Sequence, residues 1–119
     1  MGENVVKEKS RAFALKIIAL YKYLCYEKKE FVLSKQLVRS GTSIGANIVE
    51  AHSAISKKEF IAKMNISLKE AAETEYWLDL LQTSNYISEV EYQSMLENCR
   101  ELKRLLTSII KATRKNLLK

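Results

Sequence analysis

Across 119 residues the chain contains no proline and only three glycines, so little in it forces the backbone to break. Proline removes a donor and clashes with the preceding helical turn, and many-turned β folds rely on proline and glycine at their corners. A chain short of both is suited to long helices. The apolar pattern agrees. Phe60, Met64, Ser67, Ala71, Thr74, Leu78 and Leu81 alternate steps of four and three without a slip, which keeps them on one helix face.

Four helices are predicted, at about 5–26, 35–54, 57–83 and 89–116, and three of them open on start signals. In the first, Val6, Phe13, Ile17, Leu20 and Leu24 form the apolar stripe. Ser34 reads as the N-cap of the second, with Leu33 and Val38 as its hydrophobic staple, and Leu37, Gly41, Ile44, Ile48, Ala51 and Ile55 face inward. Ser56 and Glu59 form a capping box for the third, with Ile55 and Phe60 as staple; Asn85 suits a left-handed ending. Ser88 and Glu91 start the fourth, stapled by Ile87 and Tyr92, which buries Met95, Cys99, Leu102, Leu106, Ile109 and Thr113. Helices of this length with short connections pack most simply as an up-down-up-down antiparallel four-helix bundle. The expected fold is therefore all-α, one domain over residues 1–119.

One stretch fits neither an ordinary surface helix nor a loop: Ser40-Gly41-Thr42-Ser43-Ile44-Gly45-Ala46-Asn47-Ile48-Val49-Glu50. Each glycine costs about 1 kcal/mol relative to alanine inside a helix. A phosphate-binding loop would need Gly-Lys-Ser/Thr after a strand. Here Gly45 leads into Ala46 and Asn47, and the helical spacing continues on both sides. As a helix, the stretch is small or apolar around most of its circumference, whereas a monomeric bundle needs one apolar stripe with charges opposite. Gly45, Ala46 and Val49 are thus the expected oligomer interface; tight packing within one chain is the alternative.

Chemistry is sparsely supported. Cys25 and Cys99 lie among apolar neighbours and read as reduced, buried hydrophobes. The single histidine, His52, reads as a partly buried structural residue, and no metal or cofactor site is expected. The six tyrosines and Trp77 are scattered rather than interleaved with basic residues. No apolar run reaches the ~20 residues of a membrane span, and the N-terminus lacks the pattern of a signal peptide. These features point to a soluble cytoplasmic chain without membrane contact.

Charge carries more information. The net charge is +6, and it is unevenly distributed. No basic residue lies between Lys69 and Arg100, and no acidic residue follows Glu101. Such polarity suits an anionic partner or like subunits meeting basic side to acidic side; a solvated surface with a C-terminal helix complementing its dipole is the other account.

The segment Ser40 to Ala51 resembles the hallmark of the four-helix bundle proteins encoded in intervening sequences of bacterial 23S ribosomal RNA genes, often labelled ribosomal-protein-like. Phe60 to Leu81, with Ser67-Leu68-Lys69-Glu70-Ala71 and Glu75-Tyr76-Trp77-Leu78, is similar to the family's third helix. The resemblance spans nearly the whole chain and departs at Ala51-His52, where many relatives have Glu-Gly. It marks Ser43, Ile44, Asn47, Ile48, Glu50, Glu75 and Trp77 as motif or structural positions, implies a small cytoplasmic bundle assembling into homopentameric rings, and supplies no catalytic residues. A related group, the accessory proteins of diversity-generating retroelements, forms basic pentamers that bind nucleic acid and a reverse transcriptase.

The expectation is a non-enzymatic, homo-oligomeric protein associated with nucleic acid, RNA first and DNA as the alternative. Lys7, Arg11, Lys16 and Lys22 on the first helix, with Lys103, Arg104, Lys111, Arg114 and Lys115 on the fourth, would contact phosphates. The alternative is a protein–protein scaffold or accessory ring for a partner such as a reverse transcriptase. An enzyme lacks any motif.

Overall fold

The periodicity is realised as four α-helices in the computed structural model, which describes residues 2–117. They are α1 (Gly2–Tyr26), α2 (Leu33–His52), α3 (Lys57–Thr83) and α4 (Glu89–Leu117), with no strand among the described residues. Each helix packs on two others, α1 on α2, α2 on α3, α3 on α4 and α4 on α1; the α2–α3 seam is the closest and the α1–α4 seam the thinnest. The molecule measures 52 × 22 × 19 Å, close to one helix length by two helix diameters.

Partners rise in number along one helix as they fall along its neighbour. On α2 and α3 the pairs are Glu50 with Lys63, Ile44 with Ser67, and Ser40 with Thr74. On α1 and α4 they are Gly2 with Ile109, Lys9 with Glu101, and Lys16 with Asn98.

The core is close to the expected stripes. Val6, Phe13, Ile17, Leu20 and Leu24 are buried on α1, as are Met64, Ala71, Leu78 and Leu81 on α3. Two positions shift by one residue. Ile61 is buried while Phe60 is only half-buried, and Ile110 is buried where Ile109 was expected. A step of four in place of three from Leu106 is the drift of a 3.6-residue turn against a seven-residue repeat. Thr113 is likewise half-buried.

The start of α2 corrects the sequence reading. Ser34 is not its cap. The helix begins at Leu33, and the Glu30 carboxylate accepts from the amides of Val32 (3.1 Å), Leu33 (2.9 Å) and Ser34 (2.7 Å). Ser34 is buried inside the first turn and donates its hydroxyl to Glu30 O at 2.7 Å. A carboxylate can answer three amides together and places negative charge at the positive end of the helix dipole, which one hydroxyl cannot do. Burial pushes the Glu30 carboxyl up, but these amide bonds and the Ser34 hydroxyl outweigh it, so its pKa lies below the ordinary value.

The other ends differ in one detail. Ser56 Oγ accepts from Glu59 N–H, and Ser88 Oγ from Glu91 N–H, each at 3.1 Å. Asn85 has φ 66°, with Tyr86 N–H on Leu81 O and Asn85 N–H on Gln82 O, the pattern of a Schellman ending. Ile55, however, lies beyond the end of α2 and is 95% exposed, so it neither continues the core face nor staples Phe60.

Candidate nucleic-acid interface

Helix α4 folds so that its basic residues cannot hide. With Met95, Leu96, Cys99, Leu102, Leu106 and Ile110 buried, the 3.6-residue turn leaves Arg100, Arg104, Thr107, Ser108, Lys111 and Lys115 on the outer side. All six are exposed. Lys103, Arg104, Thr107, Ser108 and Lys111 line one shallow depression on this face. Arg104, Lys111, Arg114 and Lys115 pair with no described carboxylate.

Lys103 and Arg100 are partly engaged. Lys103 Nζ lies 3.1 Å from Glu75 Oε2, off the line of a good hydrogen bond, and Arg100 Nε lies 3.9 Å from Oε1. Behind this cluster, burial first and the Glu75 charge second push the Cys99 thiol up to about 12, against Lys103 and Arg100. It therefore stays protonated, donating to Ala71 O at 3.2 Å, and is no nucleophile. Both cysteines are free, and Cys25 is half-buried rather than buried.

The α1 cations do not join this row. The side of α1 that meets α4 runs through Lys9, which pairs with Glu101 at 3.0 Å, and Lys16, which donates to Asn98 Oδ1 at 2.9 Å. Lys7 and Arg11 are each two positions from Lys9, about 200° round the helix, and Lys22 is about 120° round from Lys16. All three are exposed and point away from the seam. The nine cations singled out by sequence thus form a row on α4, a bridged position at Lys16, and separate charges on the outer side of α1.

Arg100, which opens the row, escaped the sequence reading, as did two lysines of α3. Lys57 and Lys58 are exposed at the start of α3, and Lys57 shares a cleft with Thr113 and Asn116 near the end of α4. Their residues read only as the inside of a capping box. The available signal was electrostatic: lysines in a helix's first turn oppose its dipole, so they do not serve the helix.

The glycine-rich stretch turns inward. A Cβ at Gly41 would lie 2.8 Å from Ile17 Cγ1 and Cγ2, and one at Gly45 would lie 3.2 Å from Ser10 Oγ. Both glycines therefore let α1 approach α2, and the Gly45 side is occupied by the same chain. Ala46 and Val49 are exposed. On the other side Ser40 accepts from Thr74 Oγ1 at 3.0 Å, and Ser67 donates to Ile44 O at 2.8 Å. Ile44 and Ile48 are fully buried, Ser43 donates to Arg39 O (2.6 Å), and Asn47 to Ser43 O (2.8 Å). Glu50 is exposed and pairs with Lys63 at 2.9 Å. Trp77 donates Nε1–H to Glu73 at 2.9 Å, and Glu73 also receives Arg39.

His52 corrects its expectation. It is exposed, with Nδ1 2.8 Å from Ile48 O and its ring edge-on to Phe60. Among the described residues no group of three or more His, Cys, Asp or Glu side chains could hold a metal ion. No described helix is long and apolar enough to cross a membrane.

The chain matches the profile of the family described as 23S rRNA-intervening sequence protein over residues 2–108. It is similar to a solved structure from Bacteroides thetaiotaomicron, described as a protein of unknown function from the S23 ribosomal protein family. The two share 58% identity over 93% of this chain and 99% of that one, with a TM-score of 0.93. No curated protein matches.

Proposed function

The chain belongs to the 23S rRNA-intervening sequence protein family, and from that premise we propose that it is a non-enzymatic, cytoplasmic, nucleic-acid-associated protein. In this reading its four helices form an up-down-up-down antiparallel bundle, supported by the opposed order of contacts on α1–α4 and α2–α3. Bundles assemble with copies of themselves, as homopentamers by the family resemblance, using the small exposed outer side of α2 at Ala46 and Val49. The observation that carries the nucleic-acid role is the outer face of α4, where Arg104, Lys111, Arg114 and Lys115 stand exposed without described carboxylate partners. Cations so placed bind polyanions by releasing condensed counterions.

Fluorescence anisotropy with a labelled structured RNA tests this. Binding at low salt that falls steeply as salt is raised is the expected result. No binding even at low salt overturns the proposal.

A second reading is a scaffold or accessory ring for a protein partner. It draws on Tyr26, Phe31, Val32 and Val90, large side chains all exposed at 59–80%, around the end of the bundle away from the basic row. One stoichiometric protein retained after nuclease treatment would favour it.

A further inference from the structure

The outer face of α4 differs from a single-strand-binding surface in what it lacks. From Arg100 to Lys115 the row extends for about 22 Å at ~1.5 Å per residue. Between its cations stand only short side chains, Thr107, Ser108 and Ala112, and all three are exposed. The large exposed aromatic residues, Tyr23, Tyr26, Phe31 and Tyr76, lie on α1, the α1–α2 connection and α3. Proteins that hold single strands combine cations with a series of aromatic platforms on which bases stack. Here α4 exposes no aromatic side chain from Arg100 to Lys115, and only Tyr76, which follows the Glu75 that meets Arg100 and Lys103, stands near the start of the row.

From this we infer that the row on α4 takes double-stranded nucleic acid, held by its phosphate backbone alone; the inference rests on the nucleic-acid reading above. A duplex presents one charge per ~1.7 Å of axis, so about 13 phosphates fall within the length of the row, twice what one strand of the duplex offers. Packing on α3 and α1 leaves α4 one free face, and from Arg100 to Lys115 the helix carries no Asn or Gln, the side chains that pair with adenine. Thr107 and Ser108 add hydroxyl donors for phosphate oxygens between the cations. The row therefore discriminates by charge density, with little regard to sequence. RNA and DNA duplexes share this chemistry, and separate probes distinguish them.

The test is anisotropy with the full chain and four labelled probes: an RNA duplex and a DNA duplex of about 20 pairs, a second RNA duplex of scrambled sequence, and oligo-uridine of about 20 nucleotides. At least one duplex type should bind about tenfold more tightly than oligo-uridine, with the two RNA sequences within about threefold of each other. Arg104→Glu with Lys111→Glu should weaken duplex binding at least about tenfold, whereas Tyr76→Ala should leave it unchanged. Circular dichroism confirms that each variant is helical. Oligo-uridine bound as tightly as duplex, or duplex binding lost with Tyr76 and kept without Arg104 and Lys111, overturns the inference while leaving nucleic-acid association standing. No binding of any probe at low salt overturns both.

Discussion

The glycine-rich part of α2 and the C-terminal half of α4 use their polar residues in opposite ways. On α2, Ser40 and Ser43 answer other groups of the chain, and both glycines admit α1. On α4, Arg104, Lys111, Arg114 and Lys115 face water with no described ion-pair partner. The stretch that stands out most in the sequence is thus turned toward the fold, and the plainer stretch is turned outward. Unusual composition reports a demanding packing problem as readily as a ligand. The two regions should respond to mutation in opposite currencies, one in stability and the other in binding.

The largest effect belongs to Gly41. Its missing Cβ is filled by Ile17 at 2.8 Å, with Ile17 Cδ1 at 3.2 Å. Gly41→Leu should destabilise by about 3 kcal/mol or more, at the upper end of overpacking costs. Gly41→Ala should lose about 1–2 kcal/mol, because the gain of ~1 kcal/mol in helix propensity only partly offsets the clash. Urea unfolding measures both. Pairing Gly41→Ala with Ile17→Ala should recover about 1 kcal/mol of coupling, and strict additivity would refute the account of this contact.

Next is Glu30, which serves the same helix. Its carboxyl is depressed in the folded state by three amides, so the cap's contribution is complete above the ordinary value of 4.5 and is lost as pH falls through the folded value. Glu30→Gln should cost about 1–2 kcal/mol at neutral pH, the range of a strong N-cap. The gap between wild type and variant should then narrow in acid. A gap that stays constant to pH ~3 would show that charge is not what the cap supplies.

Gly45 should respond less. Ser10 Oγ stands 3.2 Å and Ser10 Cβ 3.6 Å from an added Cβ, so Gly45→Ala should stay within about 1 kcal/mol of wild type, propensity and crowding nearly cancelling. Gly45→Leu would collide with α1 in the monomer and cannot report on assembly by itself. Ala46→Leu is the cleaner probe, since Ala46 is exposed. If the outer side of α2 joins subunits, its mass by light scattering should fall while its helix content holds.

Helices, most of the core and the special role of Asn85 were legible because they rest on local rules: a seven-residue alternation, capping boxes and a left-handed ending. What escaped depended on the third dimension. Ser34 had the credentials of a cap, but Glu30 reaches the same amides from the connection. Ile55 fitted two patterns at once and satisfied neither, because α2 stops at His52. Composition could show that α2 was small on several sides, but only packing could show that Gly45 meets Ser10. For the candidate site, the cations of α4 were readable from a run without acidic residues, whereas the separation of Lys7, Arg11 and Lys22 from them follows from which side of α1 meets α4.

The smallest stability effect is expected on α4, and its sign is informative. Arg100 and Arg104 are four apart, as are Lys111 and Lys115, and like charges at that spacing destabilise a helix by about 0.2–0.5 kcal/mol per pair. Arg104→Glu replaces a repulsion with Arg100 by an attraction and, in return, loses the attraction to Glu101 three positions before it, so it is nearly neutral by itself. Lys111→Glu replaces repulsions with Arg114 and Lys115 by attractions, and lies short of the last turn, where a cation would favour the dipole. The double variant should therefore unfold within about 0.5 kcal/mol of wild type, on the stabilised side if it moves. Weaker duplex binding by a protein of equal or greater stability would mean that these cations are held against the helix's own preference. Substantial destabilisation would instead make them structural, and would erase the contrast with α2.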